Sequence, residues 1–383
     1  MVAKVRRGVS QRAVAREFRV ALATVQWWVA RANGQRLDRV DWRTRPPLAH
    51  RIHRTPQAME EAVLALREAL RDDSVLGEYG APAIHRALVA QGTVAVPSVR
   101  TISRILARRG ALDGRRRVRR PAPPPGWYLP AVATGEAELD SFDVIEGLKI
   151  DQGPELEVLT AMSLHGGLTG AWPTRGVTAR GVVRLLERHW REVGLPGFAQ
   201  FDNDTVFQGA HQHRDCISRV MRLCLSLGVT PVFAPPREQG FQAAIESFNG
   251  RWQAKVWARY HHVNLRAVQQ RAAHYTRVHR ERAAPRLEAA PARRPFPADW
   301  HLELQRHPQG TLIFLRRTDA HGRIALLGHP ILVARQWPHR LVRAEVDLRT
   351  GKIRCYALRR RCPTEQPLLQ VTPYTLPRRP FRE

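Results

Sequence analysis

The stretch ALDGRRRVRRPAPPPGWYLP, residues 111–130, constrains the fold of this chain more than any other. It sets five arginines ahead of four prolines within five positions. Proline fixes φ and lacks a backbone N–H, so the run favours extended polyproline II and no packed core passes through it. Residues 111–135 are therefore expected to be an Arg/Pro-rich linker between regions that fold on either side.

Charge segregates along similar lines. Of a formal net charge of +28, residues 1–130 carry 25 Lys/Arg against 10 Asp/Glu, residues 131–260 carry 13 against 15, and residues 261–383 carry 24 against 9. A genome that prefers arginine codons would raise arginine throughout and would not spare the centre. Basic flanks attract polyanions, nucleic acid above all. Around a carboxylate-richer middle they fit DNA-gripping modules on either side of metal-dependent phosphodiester chemistry.

At 383 residues and 43% hydrophobic content the chain is long enough for two or three globular domains. It contains no 18-residue apolar run and no charged-then-apolar leader, so a cytosolic location is expected. Cys216, Cys224, Cys355 and Cys362 form neither a CxxC pair nor a Cys/His finger spacing. Disulfides and structural zinc are not expected.

Residues 1–50 hold GVSQRAVAREFRVALATVQWWVARAN. Ser10 is a candidate N-cap, Val14 and Phe18 recur at helical spacing, and Val25, Trp28 and Val29 do so again after a break. The pattern resembles a helix-turn-helix, although Arg19 and Ala21 stand where that motif usually has glycine and a Ser/Thr cap. Residues 55–110 hold a second helix-turn-helix or winged-helix-like candidate. Ile84, Leu88 and Val89 mark one helix, Gly92 its stop, and Pro97 with Ser98 the start of another carrying Val99, Ile102, Ile105 and Leu106. That last helix sets Arg100, Arg104 and Arg108 at i, i+4 and i+8, a stripe suited to DNA phosphates. Arg115, Arg116 and Arg117 of the linker are expected to touch DNA backbone as well.

Residues 136–262 alternate strand-like and helix-like segments as an α/β core does: AELDSFDVI, LEVLTAMSL, LTGAWP, the helical VVRLLERHWREVG, GFAQFDN, VTPVFAPP and the helical FQAAIESFNGRWQAKVWARY. Asp202 follows Phe201 directly, at the carboxyl end of a strand, where open α/β sheets place their sites. An Asx turn alone would also explain FDND. On the last helix Ile245, Phe248 and Trp252 make an apolar stripe, Glu246, Asn249 and Gln253 a polar one, and Arg251, Lys255 and Arg259 a basic one suited to a DNA end.

ELDSF, FDND and AAIESFN resemble the three acidic motifs of the retroviral-integrase superfamily, as found in bacterial insertion-sequence transposases. The resemblance implies a multidomain protein: an all-α helix-turn-helix N-terminal region, an α/β ribonuclease H-like catalytic core and a small all-β C-terminal barrel. It implies a D-D-E transposase that cuts DNA ends and joins them by in-line attack of a 3′-hydroxyl on a phosphodiester. Carried over by residue, Asp140, Asp202 and Glu246 are the expected catalytic and metal-holding carboxylates. Asp143 competes with Asp140, and Asp204 with Asp202. Mg²⁺ or Mn²⁺, as two ions, suits such hard oxygen ligands. His165, His211 and His213 are expected to be phosphate contacts or surface residues.

The loop PPREQGFQ, residues 235–242, resembles one that overlies the active site in this superfamily. Implied partners are double-stranded DNA, both element ends and target, and further copies of the chain assembled on it; the implied location is the bacterial nucleoid. Residues 263–300 read as a basic helical arm, and residues 301–383, with strands such as TLIFLRR and HPILVARQW, as the barrel. The rival reading is a catalytically silent DNA-binding regulator derived from a transposase. An RNA-cleaving enzyme on the same core fits the carboxylates but not the two helical DNA-binding candidates.

Overall fold

A computed structural model describes residues 1–43, 55–112, 125–210, 213–238 and 240–382. Arg115, Arg116, Arg117 and His211, with most of the Arg/Pro stretch, lie outside the described residues. The chain divides into two units, Met1–Met59 and Glu60–Glu383.

In the first unit α1 (Val2–Arg6), α2 (Gln11–Glu17) and α3 (Leu22–Arg31) close over Val14, Ala15 and Val25. Ser10 caps α2 as expected, its hydroxyl accepting from the Ala13 N–H at 3.2 Å. The turn into α3 puts Arg19 at φ 51. That is the left-handed conformation for which the motif usually selects glycine, achieved here by a side chain. Phe18 remains exposed, with the Lys4 ammonium over its ring, instead of joining the core.

The boundary falls in the first turn of α4 (Gln57–Asp73), and the second unit holds the rest of it with α5 (Ala81–Ala90) and α6 (Val99–Arg108). Helix α6 is amphipathic as read: Ile102, Ile105 and Leu106 are buried, and Ser98 caps it, accepting from the Thr101 N–H at 3.2 Å. Val89, expected on the apolar side of α5, is exposed. Past the Arg/Pro stretch, Trp127, Tyr128 and Leu129 are buried, so the linker ends earlier than expected. The short α7 (Pro130–Ala133) then leads into the sheet.

The core is built on β1 (Leu139–Lys149), β2 (Glu155–Ser163) and β3 (Thr169–Thr174), then α8 (Ala179–Val193), β4 (Phe198–Phe201), α9 (Thr205–Gln208), α10 (Arg219–Ser226) and β5 (Thr230–Phe233). β1, β2 and β3 are antiparallel neighbours, while β4 pairs parallel with β1 and β5 parallel with β4. The order β3-β2-β1-β4-β5, with helices on both faces, is compatible with a ribonuclease H-like core. Phe142, Leu159 and Phe201 pack on one face with Val182, Leu186 and Trp190 of α8. On the other, Ile145, Val158 and Met162 meet Ile245, Phe248 and Trp252 of α11 (Ala243–Trp252) and Val268, Ala272 and Tyr275 of α12 (Leu265–Glu288). A π-helical turn, Gln253–Trp257, follows α11. α12, read as an arm, is packed on the core through that apolar face.

The strands expected to close into a separate barrel do something else. β6 (Thr311–Arg317) pairs parallel with β5, and β9 (Leu341–Asp347), β10 (Lys352–Ala357) and β11 (Leu368–Pro373) follow antiparallel. The result is one nine-stranded open sheet, with β7 (Arg323–Leu326) and β8 (His329–Leu332) as a separate hairpin. The edge of the core sheet at β5 presents unpaired backbone groups, and β6 satisfies them. Among the described residues no helix is long and apolar enough to cross a membrane.

Candidate active site

β1 decides which aspartate faces which side. Asp140 and Asp143 are three residues apart, and side chains alternate along a strand, so the two carboxylates stand on opposite faces. Asp143 falls on the α11 side, where Asn249 Nδ2 donates to its Oδ2 at 2.8 Å. Burial, the charge of Asp202 and, more weakly, that of Glu246 push the Asp143 carboxyl up to about 6 against the hydrogen bonds from the Val144 amide and Asn249. Asp202 directly follows β4 and is likewise raised, by burial first and also by the charges of Asp204 and Glu146. Glu246 is exposed in the first turn of α11, where the helix dipole favours a negative charge. Strand end, strand and helix start thus bring Asp143, Asp202 and Glu246 into one electrostatic group.

Asp140 does not join it, which corrects the expected first carboxylate. It is 1% exposed on the α8 face, held by Arg293 through Nη1 to Oδ1 at 2.9 Å and Nη2 to Oδ2 at 2.6 Å, and by Trp190 Nε1 at 3.1 Å. Gly194 ends α8 at φ 80, and its carbonyl accepts from the same guanidinium. A carboxylate enclosed by a bidentate arginine and an indole is a structural counter-ion.

FDND is both a turn and part of this group. Asp202 Oδ1 accepts from the Asp204 N–H at 3.0 Å, an Asx turn, while Asp204 caps α9 by accepting from the Val206 N–H at 2.7 Å. Asn203 Nδ2 donates to Ala234 O at 2.7 Å and ties the ends of β4 and β5 together. Both aspartates reach the cleft, Asp204 with one oxygen engaged as a cap and Asp202 with one engaged in the turn. The cleft, about 540 Å³ and open, is lined by Asp202, Asp204, Arg237, Glu238, Gln242 and Glu246. Next to the cleft residue Gln242, the Phe241 carbonyl lies 2.9 Å from the buried Tyr128 hydroxyl, which is also 3.0 Å from Gln200 Oε1. Its acidic side chains offer carboxylate oxygens, the type hard divalent cations take. Among the described residues no three His, Cys, Asp or Glu side chains converge closely enough to hold a metal ion in common.

No family model matches the chain. No curated protein matches it either. Among solved structures it is similar to the catalytic core domain of BIV integrase. That likeness has 18% sequence identity and a TM-score of 0.26, and it covers 36% of this chain and 80% of that one. The site's chemistry rests on its own residues.

The expected DNA-contacting residues divide. Arg100, Arg104 and Arg108 are exposed along α6, opposite its buried stripe, with Arg108 paired to Glu60. The α11 stripe is broken by the π-helical turn. Arg251 is exposed and donates to Ser247 O within its own helix, at 3.1 Å. Lys255 lies against Gly77, where a Cβ would meet its side chain. Arg259 is committed to carbonyls: it donates to Ser74 O at 3.2 Å and to Asp72 O, and stacks on Tyr260. Lys255 and Arg259 thus fasten the α4–α5 segment to the core. His165 has its Nε2 2.9 Å from Val132 O in a packed setting, and His213 is exposed. Asn249, read only as part of a polar face, hydrogen-bonds a carboxylate of the group directly.

Proposed function

We propose that the chain is a DNA strand transferase of the transposase or integrase kind, acting on double-stranded DNA with Asp143, Asp202 and Glu246 as its catalytic carboxylates. The observation that carries this reading is an open cleft lined by Asp202 and Glu246, whose charges, with burial, push the Asp143 carboxyl up to about 6. Like charges gathered from different elements, Asp143 feeling those of Asp202 and Glu246, repel one another until a cation joins them. Bound Mg²⁺ or Mn²⁺ would supply Lewis acidity toward the phosphodiester and an activated hydroxyl.

The chain's own residues do the rest. Asn249 holds Asp143, the Asx turn holds Asp202, and the first turn of α11 presents Glu246. The exposed arginines of α6, with Arg251, would supply the sequence-independent hold on phosphates. A DNA-binding regulator that does not cut is the second reading, favoured by the absence of a close three-carboxylate cluster among the described residues.

One assay separates the two: strand transfer with labelled element ends in Mg²⁺, across D140N, D143N, D202N, D204N and E246Q. Loss of joining by orders of magnitude in D143N, D202N and E246Q supports the enzyme. D204N is expected to keep most activity. Joining that survives D143N and D202N, or is undetectable in the wild type while end binding is intact, favours the regulator.

A further inference from the structure

Glu238 stands at the rim of the cleft and is shared by two arginines from separate parts of the sheet. Arg317, the last residue of β6, donates from Nε to Glu238 Oε1 at 2.6 Å, and Arg360, beyond the end of β10, brings Nη2 to within 3.5 Å of Oε2. Arg360 also lies over the Phe241 ring at 5.2 Å. Each carboxylate oxygen therefore has one guanidinium. The two arginine side chains are 46% and 47% exposed, the glutamate 19%.

We propose that Arg317 and Arg360 are a phosphate-binding pair for the DNA backbone at the cleft, and that Glu238 occupies them in the free protein until a phosphodiester displaces it. This rests on the reading of the chain as a DNA-acting enzyme. A phosphodiester carries the same single negative charge as Glu238 and presents two non-bridging oxygens, so it can take one guanidinium on each as the carboxylate does. Displacement is cheap, because ion pairs this exposed contribute only about 0–1 kcal/mol. The pair adds little stability, yet it places two cations beside a cleft whose other charges are mostly carboxylates. DNA brought toward Asp202 and Glu246 needs such cations at the rim to offset that repulsion.

The test is fluorescence anisotropy with a labelled duplex and the full-length protein in buffer free of divalent cations. E238Q removes the competitor and is expected to bind about two- to fivefold more tightly, the range set by that pair energy. E281Q, which removes the same charge from the exposed Arg277 pair on α12, sets the baseline for net charge alone. R317Q/R360Q is expected to bind more weakly than wild type, with a plot of log K against log salt shallower by about 0.9 for the lost phosphate contact. An E238Q no tighter than E281Q overturns the inference, as does an arginine double variant that binds like wild type. If neither wild type nor variants bind DNA, the functional reading falls with it.

Discussion

Asn in place of Asp140 and Asn in place of Asp143 should shift thermal stability in opposite directions. Asp140 pairs with Arg293 in a buried setting, and the two side chains are 1% and 8% exposed. Breaking a buried pair from one side leaves the guanidinium without its counter-charge and costs about 3–5 kcal/mol, with the lower end apt here because an amide keeps one acceptor. For a unit of 324 residues (60 to 383), about 2 °C per kcal/mol makes that a fall in Tm of roughly 6 °C. Asp143 is the reverse case. Raising its carboxyl from 3.8 to about 6 is worth about 3 kcal/mol against the folded state at neutral pH, reduced to about 1–2 kcal/mol by partial solvent contact. D143N should therefore raise Tm by about 2–4 °C at pH 7. A folded-state carboxyl raised above its unfolded value penalises folding above about pH 6, and the penalty fades as pH falls toward 4. The gain from D143N should fade in step. Differential scanning calorimetry at pH 7 and pH 5 in EDTA reads both effects. A D140N protein as stable as wild type, or a D143N protein less stable, would refute the assignment of the two aspartates to opposite faces and opposite roles.

Three further outcomes are expected. Mg²⁺ at ten times its dissociation constant should stabilise the wild-type protein by about 1.4 kcal/mol and leave D143N nearly unmoved, read by thermal shift; equal shifts in both would remove Asp143 from the ligand set. Apparent Mg²⁺ affinity, read by thermal shift, should weaken as pH drops through about 6, where the cation-free Asp143 takes up a proton, and an affinity flat between pH 5 and 7 would count against its ionised role. Deleting residues 1–59, the first compact unit, should abolish end-specific footprints while weak, salt-sensitive binding by the rest persists; unchanged footprints would assign recognition elsewhere.

Local pattern made the elements legible and left their partners obscure. The apolar runs of β1, β2 and β4 and the stripes of α6 and α8 are set by neighbours in sequence, so they could be read directly. Asp140 looked catalytic because the residue that neutralises it, Arg293, lies 153 positions away and leaves no local trace. Strand alternation could have separated the two aspartates, given knowledge of which face met α11. Lys255 and Arg259 were misread for a different reason: the π-helical turn adds a residue to the helical repeat, which no periodicity at 3.6 anticipates. The barrel expectation failed because β6 to β11 carry ordinary strand patterns, and nothing local says that β6 joins β5.

That joining sets a timetable for synthesis. Phe233, the last residue of β5, pairs with Phe314, 81 positions further on. At roughly 5–20 residues per second the ribosome needs about 4–16 s to deliver the partner. Through that interval Asp202 and Asn203 lie beside a strand whose outer edge is open to any other extended chain. Slower translation of residues 234–310 would lengthen the exposure and favour aggregation, while the finished nine-stranded sheet closes it.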